Sequence, residues 1–481
     1  MYDEPRKERA PGMKLLFVAL IGAVLTIPLL LVYALVYDRQ DQANTAQTAI
    51  NAGWGGPQVI AGPVIVVPFR TTQSQNEGIG GKNLTRTVEV EKFLYISPTE
   101  NDVGTTIIPQ ERTKSIYRSV LYEAKVGGKA SFALPADLPR FGVTRERLLW
   151  DRAELRMGVS DARGLTTGSS LAANGAALVV QPGKGPGATG GEGFFSFLPW
   201  NGEGTLVIDY AMTLRGSRSL SLVPRGGSTG WDVKSTWASP SFDGSFLPEK
   251  HAIAGSGFTA SYVVDKLALG QPPVSLSDYG PPPGGSDDGR YTSSINVKEA
   301  PSATDLASGG ASDVISGQSR ALTINLVEPV NLYSKINRAV KYGFLFIGFT
   351  FLAFLLFDIV GGARVASAEY LLTGAGLILF FVLLLAFAEV IGFTPAYLLA
   401  SAAIIGLLAS YSAAVLKSWV RGRFIGALLV GLYALLFVLL NLEAWSLLIG
   451  SVLLFVALAG VMYATRNVDW GAVGRREVGE T

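Results

Sequence analysis

Leu15 to Tyr37 is a run of 23 residues without a charge, and five further apolar runs fill the C-terminal third of the chain. They are Tyr342–Val360, Tyr370–Ala388, Pro395–Val415, Phe424–Leu440 and Trp445–Ala464, each 17 to 21 residues long. A hydrocarbon core about 30 Å thick takes roughly 20 residues of helix to cross, whereas a barrel strand needs only about ten. The pattern therefore predicts a membrane protein with six transmembrane α-helices, one N-terminal and five C-terminal. Pro28 is tolerated inside a membrane helix, and Pro395 suits the first turn of its own, where a missing N–H costs nothing. A cleaved signal peptide would be shorter and closely followed by a small-x-small cleavage pattern. The first run reads as an uncleaved anchor.

Orientation follows from Lys and Arg in the short connecting segments. With the N-terminus inside, the cytoplasmic pieces hold Arg6, Lys7, Arg9, Lys14, Arg364, Lys417, Arg421, Arg423, Arg466, Arg475 and Arg476. The short outside loops 389–394 and 441–444 hold none. Both termini are thus expected in the cytoplasm and residues 38–341 outside. Lys335, Arg338 and Lys341 stand on the outer side, but long translocated domains cross largely regardless of charge. Leu332, Ile336 and Val340 recur beside them at helical spacing. That basic face is expected either to meet lipid headgroups or to be a solvated helix end.

Charge separates the chain into two regimes. Residues 342–481 carry 14 charged side chains in 140 positions, against 64 in the remainder. The expected organisation is a cytoplasmic tail (1–14), an anchor (15–37), a β-rich outer domain (38–341), a five-helix bundle (342–464) and a second tail (465–481). The outer domain reads as all-β, a sandwich or open barrel. Short β-branched runs such as Val59–Phe69, Thr87–Ile96, Ser115–Val126, Thr205–Leu214, Ser219–Val223, Gly257–Val264 and Ala321–Val327 alternate with turn residues. Lys129–Pro135 and Arg218–Pro224 end alike, which hints at two related halves. The Gly/Pro/Ser-rich stretches 164–193, 279–290 and 299–319 are expected to be mobile, because they hold few bulky apolar residues.

Several classes of chemistry are excluded early. The chain has no cysteine, so disulfides, thiol catalysis and thiolate metal sites are absent. His251 is the only histidine, placed in what reads as an exposed turn. Asp102, Asp137, Asp161 and Asp243 lie near turn residues, where Asp stabilises the backbone. Gly185–Gly191 lacks the Gly-Lys-Ser/Thr ending of a phosphate loop, and a net charge of +2 gives no field for nucleic acid. No cofactor is expected.

Within the membrane, Asp358, Glu389 and Glu443 fall at span ends, where water reaches them. Glu389 is the candidate polar site at the membrane edge. Ala402, Gly406, Ser410 and Ala414 mark one small-residue face, and Gly422 with Gly426 another; both read as helix-packing surfaces. In the outer domain, Trp237, Phe242, Gly244, Phe246 and Pro248 form a rigid aromatic segment, too crowded for a strand interior. It is either a plug over the β core or an exposed patch for a partner.

A set of phrases resembles the CreD family of bacterial inner-membrane proteins. They are Trp54-Gly-Gly-Pro-Gln58 with Gly62-Pro63 and Pro68, Ile116-Tyr117 with Tyr122, Ser160-Asp-Ala-Arg-Gly164 and Gly216-Ser-Arg-Ser-Leu220 with Pro224. Trp237, Pro240-Ser-Phe242, Gly244, Phe246-Leu-Pro248 and Gly257-Phe258 follow. The membrane part adds Ala339-Val-Lys-Tyr342, Glu389 with Ile391-Gly-Phe393, and Asp469-Trp470. The departures are Tyr262 in place of Trp, Ala388 and Val390 where the family has Ser and His, and an apparent insertion at 166–194. The resemblance implies an inner-membrane protein with a periplasmic β domain and a part in cell-envelope integrity, and it supplies no catalytic residues. The expected function is therefore non-enzymatic: binding of another envelope component, protein or lipid, by the outer domain. The other reading is a transporter or export accessory for a lipid or small hydrophobic molecule.

A reporter fused after Arg423 or at Thr481 should behave as cytoplasmic, and one within 166–194 as periplasmic. A periplasmic C-terminus would mean a miscounted span, with Phe424–Leu440 the shortest candidate.

Overall fold

Apolar residues alone do not set the length of the first helix, which runs unbroken from Pro11 to Ala52 and contains Pro28. Beyond Tyr37 the segment Asp38–Ala52 holds no Gly or Pro, and Gln42 Nε2 reaches back to Asp38 Oδ2 at 2.8 Å, a supporting i,i+4 contact. Gly53, Gly55, Gly56 and Pro57 then end it. The computed structural model describes residues 11–79, 82–282, 315–327, 332–359, 365–441 and 446–466. Expectations resting on Arg6, Lys7, Arg9, Arg364, Glu443, Trp445, Asp469, Trp470, Arg475 and Arg476 lie outside the described residues, as do most of 279–290 and 299–319. The chain divides into two compact units, Met1–Thr45 with Val330–Thr481, and Ala46–Pro329.

The first unit is helical. The anchor is joined by Gly343–Ile359, Ser367–Ile391, Phe393–Val415, Trp419–Asn441 and Ser446–Thr465. Among the described residues the first five of these six helices are long and apolar enough to cross a membrane, and Ser446–Thr465 adds a sixth apolar helix of 20 residues. Ile21, Leu25, Leu29, Val32 and Val36 form the buried stripe of the anchor, at the three- and four-residue spacing of one helix face. Gly374 makes room for it: a Cβ there would stand 2.2 Å from Leu25 Cδ1. The amphipathic helix Leu332–Lys341 buries Tyr333, Ile336, Ala339 and Val340 and precedes the second span.

The two small-residue faces part company. Gly422 and Gly426 are packing positions, since a Cβ at either would meet Ala413 Cβ at 2.6 Å or Ala409 Cβ at 3.1 Å. Ala402, Gly406, Ser410 and Ala414 are exposed instead, and the face that packs carries Ala400, Ile404, Leu408 and Ser412. Bulk decides here, because Ile404 and Leu408 fill the interface better than small side chains two positions away. Asp358 also departs from expectation: it is buried at the end of its helix rather than open to water.

The second unit is a β-sandwich. One sheet has nine strands and centres on Gln58–Ile79, which is flanked by Ser219–Val223 in parallel and by Glu154–Val159 and Lys82–Ile96 antiparallel. A register shift between Ala61 and Val64 lets one long strand serve both pairings. The other sheet has eight strands, in which Glu100–Lys114, Tyr117–Phe132 and Leu206–Ser217 form the long middle. Period-two alternation, as in Leu206–Ser217, turns one face of each strand inward. A single core takes Ile65 and Leu94 from the first sheet with Val126, Ile208 and Trp231 from the second.

Glu154–Val159 is buried at every position, so the nine-stranded sheet is covered on its outer face as well. Part of the cover is the stretch expected to be mobile. Residues 164–193 contain the strands Ser170–Ala173, Ala176–Leu178 and Gln181–Pro182, and Ala188 and Thr189 are buried. The glycines serve close backbone approach rather than freedom. A Cβ on Gly185 would stand 1.8 Å from Glu192 O, and Gly185 N bonds Gly191 O at 2.8 Å. The hint of two related halves also fails. Lys129–Phe132 pairs antiparallel within the eight-stranded sheet, whereas Ser219–Val223 lies in the other sheet between a parallel and an antiparallel neighbour.

Gly185→Ala should lower the unfolding midpoint of the purified full chain, at a cost of about 1–3 kcal/mol for the forced backbone shift. Gly190→Asn should change it little, because nothing stands within 4 Å of that position and Asn tolerates its positive φ. Equal midpoints for the two variants would contradict the packed loop.

Candidate functional site at the Gln58 junction

Four of the sequence phrases, from Trp54–Gln58, Tyr122, Ser160–Gly164 and Gly216–Leu220, converge where the chain leaves the anchor helix and enters the sandwich. At their centre is Gln58, 0% exposed. Its Nε2 donates to Arg215 O at 2.9 Å and Asp161 O at 3.2 Å. Its Oε1 accepts from Asp161 N at 3.3 Å and Ser160 Oγ at 3.4 Å. Every hydrogen-bonding position of one carboxamide is thus used. Ser160 Oγ further accepts from Val59 N at 2.8 Å and lies 3.2 Å from Pro57 O.

The glycines of these phrases make that crowding sterically feasible. A Cβ at Gly164 would lie 2.3 Å from Arg215 O and 2.5 Å from Gln58 Nε2. One at Gly216 would meet Tyr122 Oη at 2.4 Å and Gln58 Cγ at 2.8 Å. Tyr122 Oη donates to Ser219 O at 2.7 Å, and burial pushes its phenol far above the ordinary tyrosine range, so it remains a neutral donor. Asp161 is held below the usual carboxylate range, first by its hydrogen bonds from the Arg163 guanidinium, at 2.7 and 2.9 Å.

The end of the anchor helix is fastened to the same place. Asn51 Oδ1 accepts from Ser119 Oγ at 2.8 Å, and Gln47 Nε2 donates to Arg118 O at 2.9 Å. Trp54 Nε1 donates to Tyr122 O at 3.3 Å. The guanidinium carbons of Arg112 and Arg215 lie 4.9 and 4.4 Å from its ring centroid, within cation–π range. The junction is a lock, with its polar groups spent on backbone.

Sequence reasoning quoted these residues without giving them a role. The available signal was the recurrence of glycine beside polar residues in three distant phrases. Two buried ion groups on the outer face of the nine-stranded sheet left no such signal. Arg225 Nη1 meets Asp278 Oδ1 at 2.6 Å, with both residues buried, and Glu154 pairs with Arg156 at 3.0 Å and Lys184 at 2.5 Å. Asp278 Oδ2 also accepts from Gly187 N at 2.7 Å. The Gly185–Gly191 loop thus spends that amide on a carboxylate of its own chain.

The aromatic candidates stand apart from the junction, across the nine-stranded sheet: Phe242 lies three strands from Gln58 in the row Gln58, Leu220, Ile324, Phe242. Pro240–Gly244 is a strand, not an irregular segment, and forms the edge of the nine-stranded sheet against Leu322–Leu326. Pro240 is accepted there because it is the first residue of an edge strand. Phe242 is half-buried, 5.8 Å from the Phe258 ring and 5.4 Å from that of His251. Trp237 and Phe246 pack against the same core, and Trp237 Nε1 donates to Val327 O at 3.1 Å. Gly244 has φ +99, and a Cβ would meet Ala321 O at 2.3 Å. Pro248 is half-buried between exposed Leu247 and Glu249.

His251 belongs not to a turn but to the strand Lys250–Ala254, the exposed edge of the eight-stranded sheet. Of the four aspartates, Asp137 and Asp161 sit at turns as expected, while Asp102 and Asp243 lie within strands. Among the described residues no group of three or more His, Asp or Glu could hold a metal. In the membrane unit, Glu389 Oε1 accepts from Tyr333 Oη at 3.2 Å, and Lys335 Nζ donates to Asn441 Oδ1 at 3.2 Å.

Gln58→Leu strands two buried carbonyls and one amide, at about 1–3 kcal/mol for each group left unpaired. The purified full chain should unfold at a clearly lower temperature, with faster hydrogen exchange at the Asp161 and Val59 amides. Unchanged exchange at both would contradict the lock.

The family model described as "Inner membrane protein CreD" matches residues 10–471. The inner membrane protein CreD of Escherichia coli K12 is 31% identical over 467 residues, spanning 94% of this chain and 93% of that protein. Among solved structures, an M1 zinc metallopeptidase from Deinococcus radiodurans aligns at 10% identity, over 69% of this chain and 86% of that one. Its TM-score is 0.21, which carries no assignment of fold or activity. By the extent of the family match and the identity to the Escherichia coli protein, the chain belongs to the CreD family of inner membrane proteins.

Proposed function

We propose that this protein maintains the cell envelope without catalysis, by binding another envelope component through its β unit in the periplasm. Both termini are cytoplasmic in this reading. The eleven Lys and Arg of the inner segments, against none in the two short outer loops, support that orientation. The committed hydroxyls of Tyr122 and Ser160 at the junction support a binding role over a catalytic one.

The observation that carries the proposal is the edge strand Lys250–Ala254. Among the described residues it pairs with Gly257–Val264 alone, and its side chains are exposed throughout. Ile253 is 50% exposed and neighbouring Leu247 67%, beside the aromatic group of Phe242, His251 and Phe258. An outward row of backbone donors and acceptors with apolar side chains alongside suits an extended segment of another protein, added as a further strand. Phe242 and Phe246 then act as the plug that holds this edge in place, and Leu247, His251 and Ile253 as the contact.

Anchoring is favoured over transport by the centre of the helical unit. The Phe380 ring lies 4.5 Å from Tyr433 and 5.5 Å from Tyr397, and Tyr397 Oη donates to Tyr433 O at 2.6 Å. Aromatic packing of this kind fills the space among these three helices with apolar rings.

Ile253→Asp should leave the amount of folded protein in the membrane unchanged, since exposed substitutions shift stability by about 0.5 kcal/mol or less. Cells carrying it should be as sensitive to membrane-active agents as cells lacking the protein. Phe242→Ala should instead reduce the folded protein itself. Full resistance with Ile253→Asp would exclude the edge as the contact.

A further inference from the structure

Along the anchor helix runs an apolar slot of about 370 Å³, lined by residues between Val18 and Leu29 and by residues between Phe344 and Leu355 of the next span. Its existence follows from two glycines that are not packing positions. Nothing stands within 4 Å of a Cβ built on Gly22 or on Gly348, so the two helices face each other there across open space. At Gly343, by contrast, a Cβ would meet Leu29 Cδ1 at 2.9 Å, so the two helices come together there and the slot narrows toward that end, where Leu29 and Phe344 still line it. The polar group in the lining, the hydroxyl of Thr26, is turned onto Ala23 O of its own helix. The slot therefore offers hydrocarbon surface and no hydrogen-bonding partner, a wall for an acyl chain rather than for water.

Charge stands at one end of it. The two helices are antiparallel, since Leu29 packs at Gly343 and, four residues on, Tyr33 lies 6.0 Å beneath Lys341 Nζ. Lys341 is exposed and ends the basic amphipathic helix Leu332–Lys341, three residues before slot-lining Phe344. From Val18 to Leu29 the slot extends about 17 Å at 1.5 Å per residue. That is close to half of a hydrocarbon core of about 30 Å, the depth of one leaflet. A cation at the rim and an apolar trough one leaflet deep complement one molecule in both charge and length.

We propose that the slot holds one acyl chain of an anionic phospholipid whose phosphate-bearing headgroup pairs with Lys341. Binding is noncovalent and selective for net negative charge, because the headgroup meets an ammonium at the rim. Zwitterionic lipid fits the trough equally but lacks the net charge that Lys341 selects.

The test is native mass spectrometry of the purified full chain, released from detergent containing phosphatidylglycerol or phosphatidylcholine. The wild type should retain one phosphatidylglycerol in preference to phosphatidylcholine. Lys341→Gln, a substitution at an exposed residue, should weaken that retention roughly fivefold, the contribution of one lysine near an anionic headgroup. Gly348→Leu should abolish it by filling the trough. Gly431→Leu adds the same bulk at an exposed glycine elsewhere, and should retain the lipid. Equal retention of both lipids by the wild type, or an unaltered preference in Lys341→Gln, would overturn the proposal. So would a wild-type dimer that Gly348→Leu converts to a monomer, which would assign the slot to a second copy of the chain.

Discussion

A single carboxamide, that of Gln58, holds the entry to the β-sandwich together. Its four hydrogen bonds reach Arg215 of one sheet and the Ser160–Asp161 turn that follows a strand of the other. Because the group is buried, each of those bonds replaces water that cannot return, and losing any one leaves a full desolvation penalty behind. The surrounding sequence is constrained accordingly. Gly164 and Gly216 allow the backbone to come within contact of the amide, Tyr122 closes the shell, and Asn51 and Trp54 bind the end of the anchor helix to the same hairpin. The strand that starts at Gln58 then pairs on both sides, so a fault at its first residue propagates into the middle of the nine-stranded sheet.

That sheet is unusual for an antiparallel-rich sandwich in being buried on both faces. Its outer cover contains charges, and those charges are paired: Arg225 with Asp278, and Glu154 with Arg156 and Lys184. A broken buried pair costs far more than an intact one contributes, so these contacts fix the position of the cover more than they add stability. Among the described residues, the eight-stranded sheet instead ends at the exposed strand Lys250–Ala254. The unit is therefore locked where its chain enters at Gln58 and, among the described residues, carries an exposed edge strand at Lys250–Ala254, an arrangement that suits a fixed scaffold presenting one strand to a partner.

The membrane architecture was legible in the sequence because hydrocarbon thickness imposes a length on every span. Seven of the strand runs were legible from alternation and turn residues, from Val59–Phe69 through Ala321–Val327. Where the reading failed, the cause was contact between residues far apart in the chain. The stretch 164–193 looks too polar and glycine-rich to order, yet its Gly187 and Gly193 are required by close backbone approach to Tyr279 and Met157. The aromatic segment looked too rigid for a strand, but an edge position forgives Pro240. Ala402 and Gly406 looked like a packing face until Ile404 and Leu408 claimed the interface. The junction was visible only as recurring phrases; nothing in one sequence pairs Gln58 with Arg215.

The proposed role depends most on contact between the edge strand and another envelope component in the living cell. A photoreactive amino acid placed at Ile253, and in a separate strain at Asn201, tests it directly. Crosslinking in intact cells, followed by mass spectrometry, should capture one discrete envelope protein from Ile253 and not from Asn201. Identical adducts from both positions, or none from Ile253 in cells whose envelope the protein protects, would contradict it.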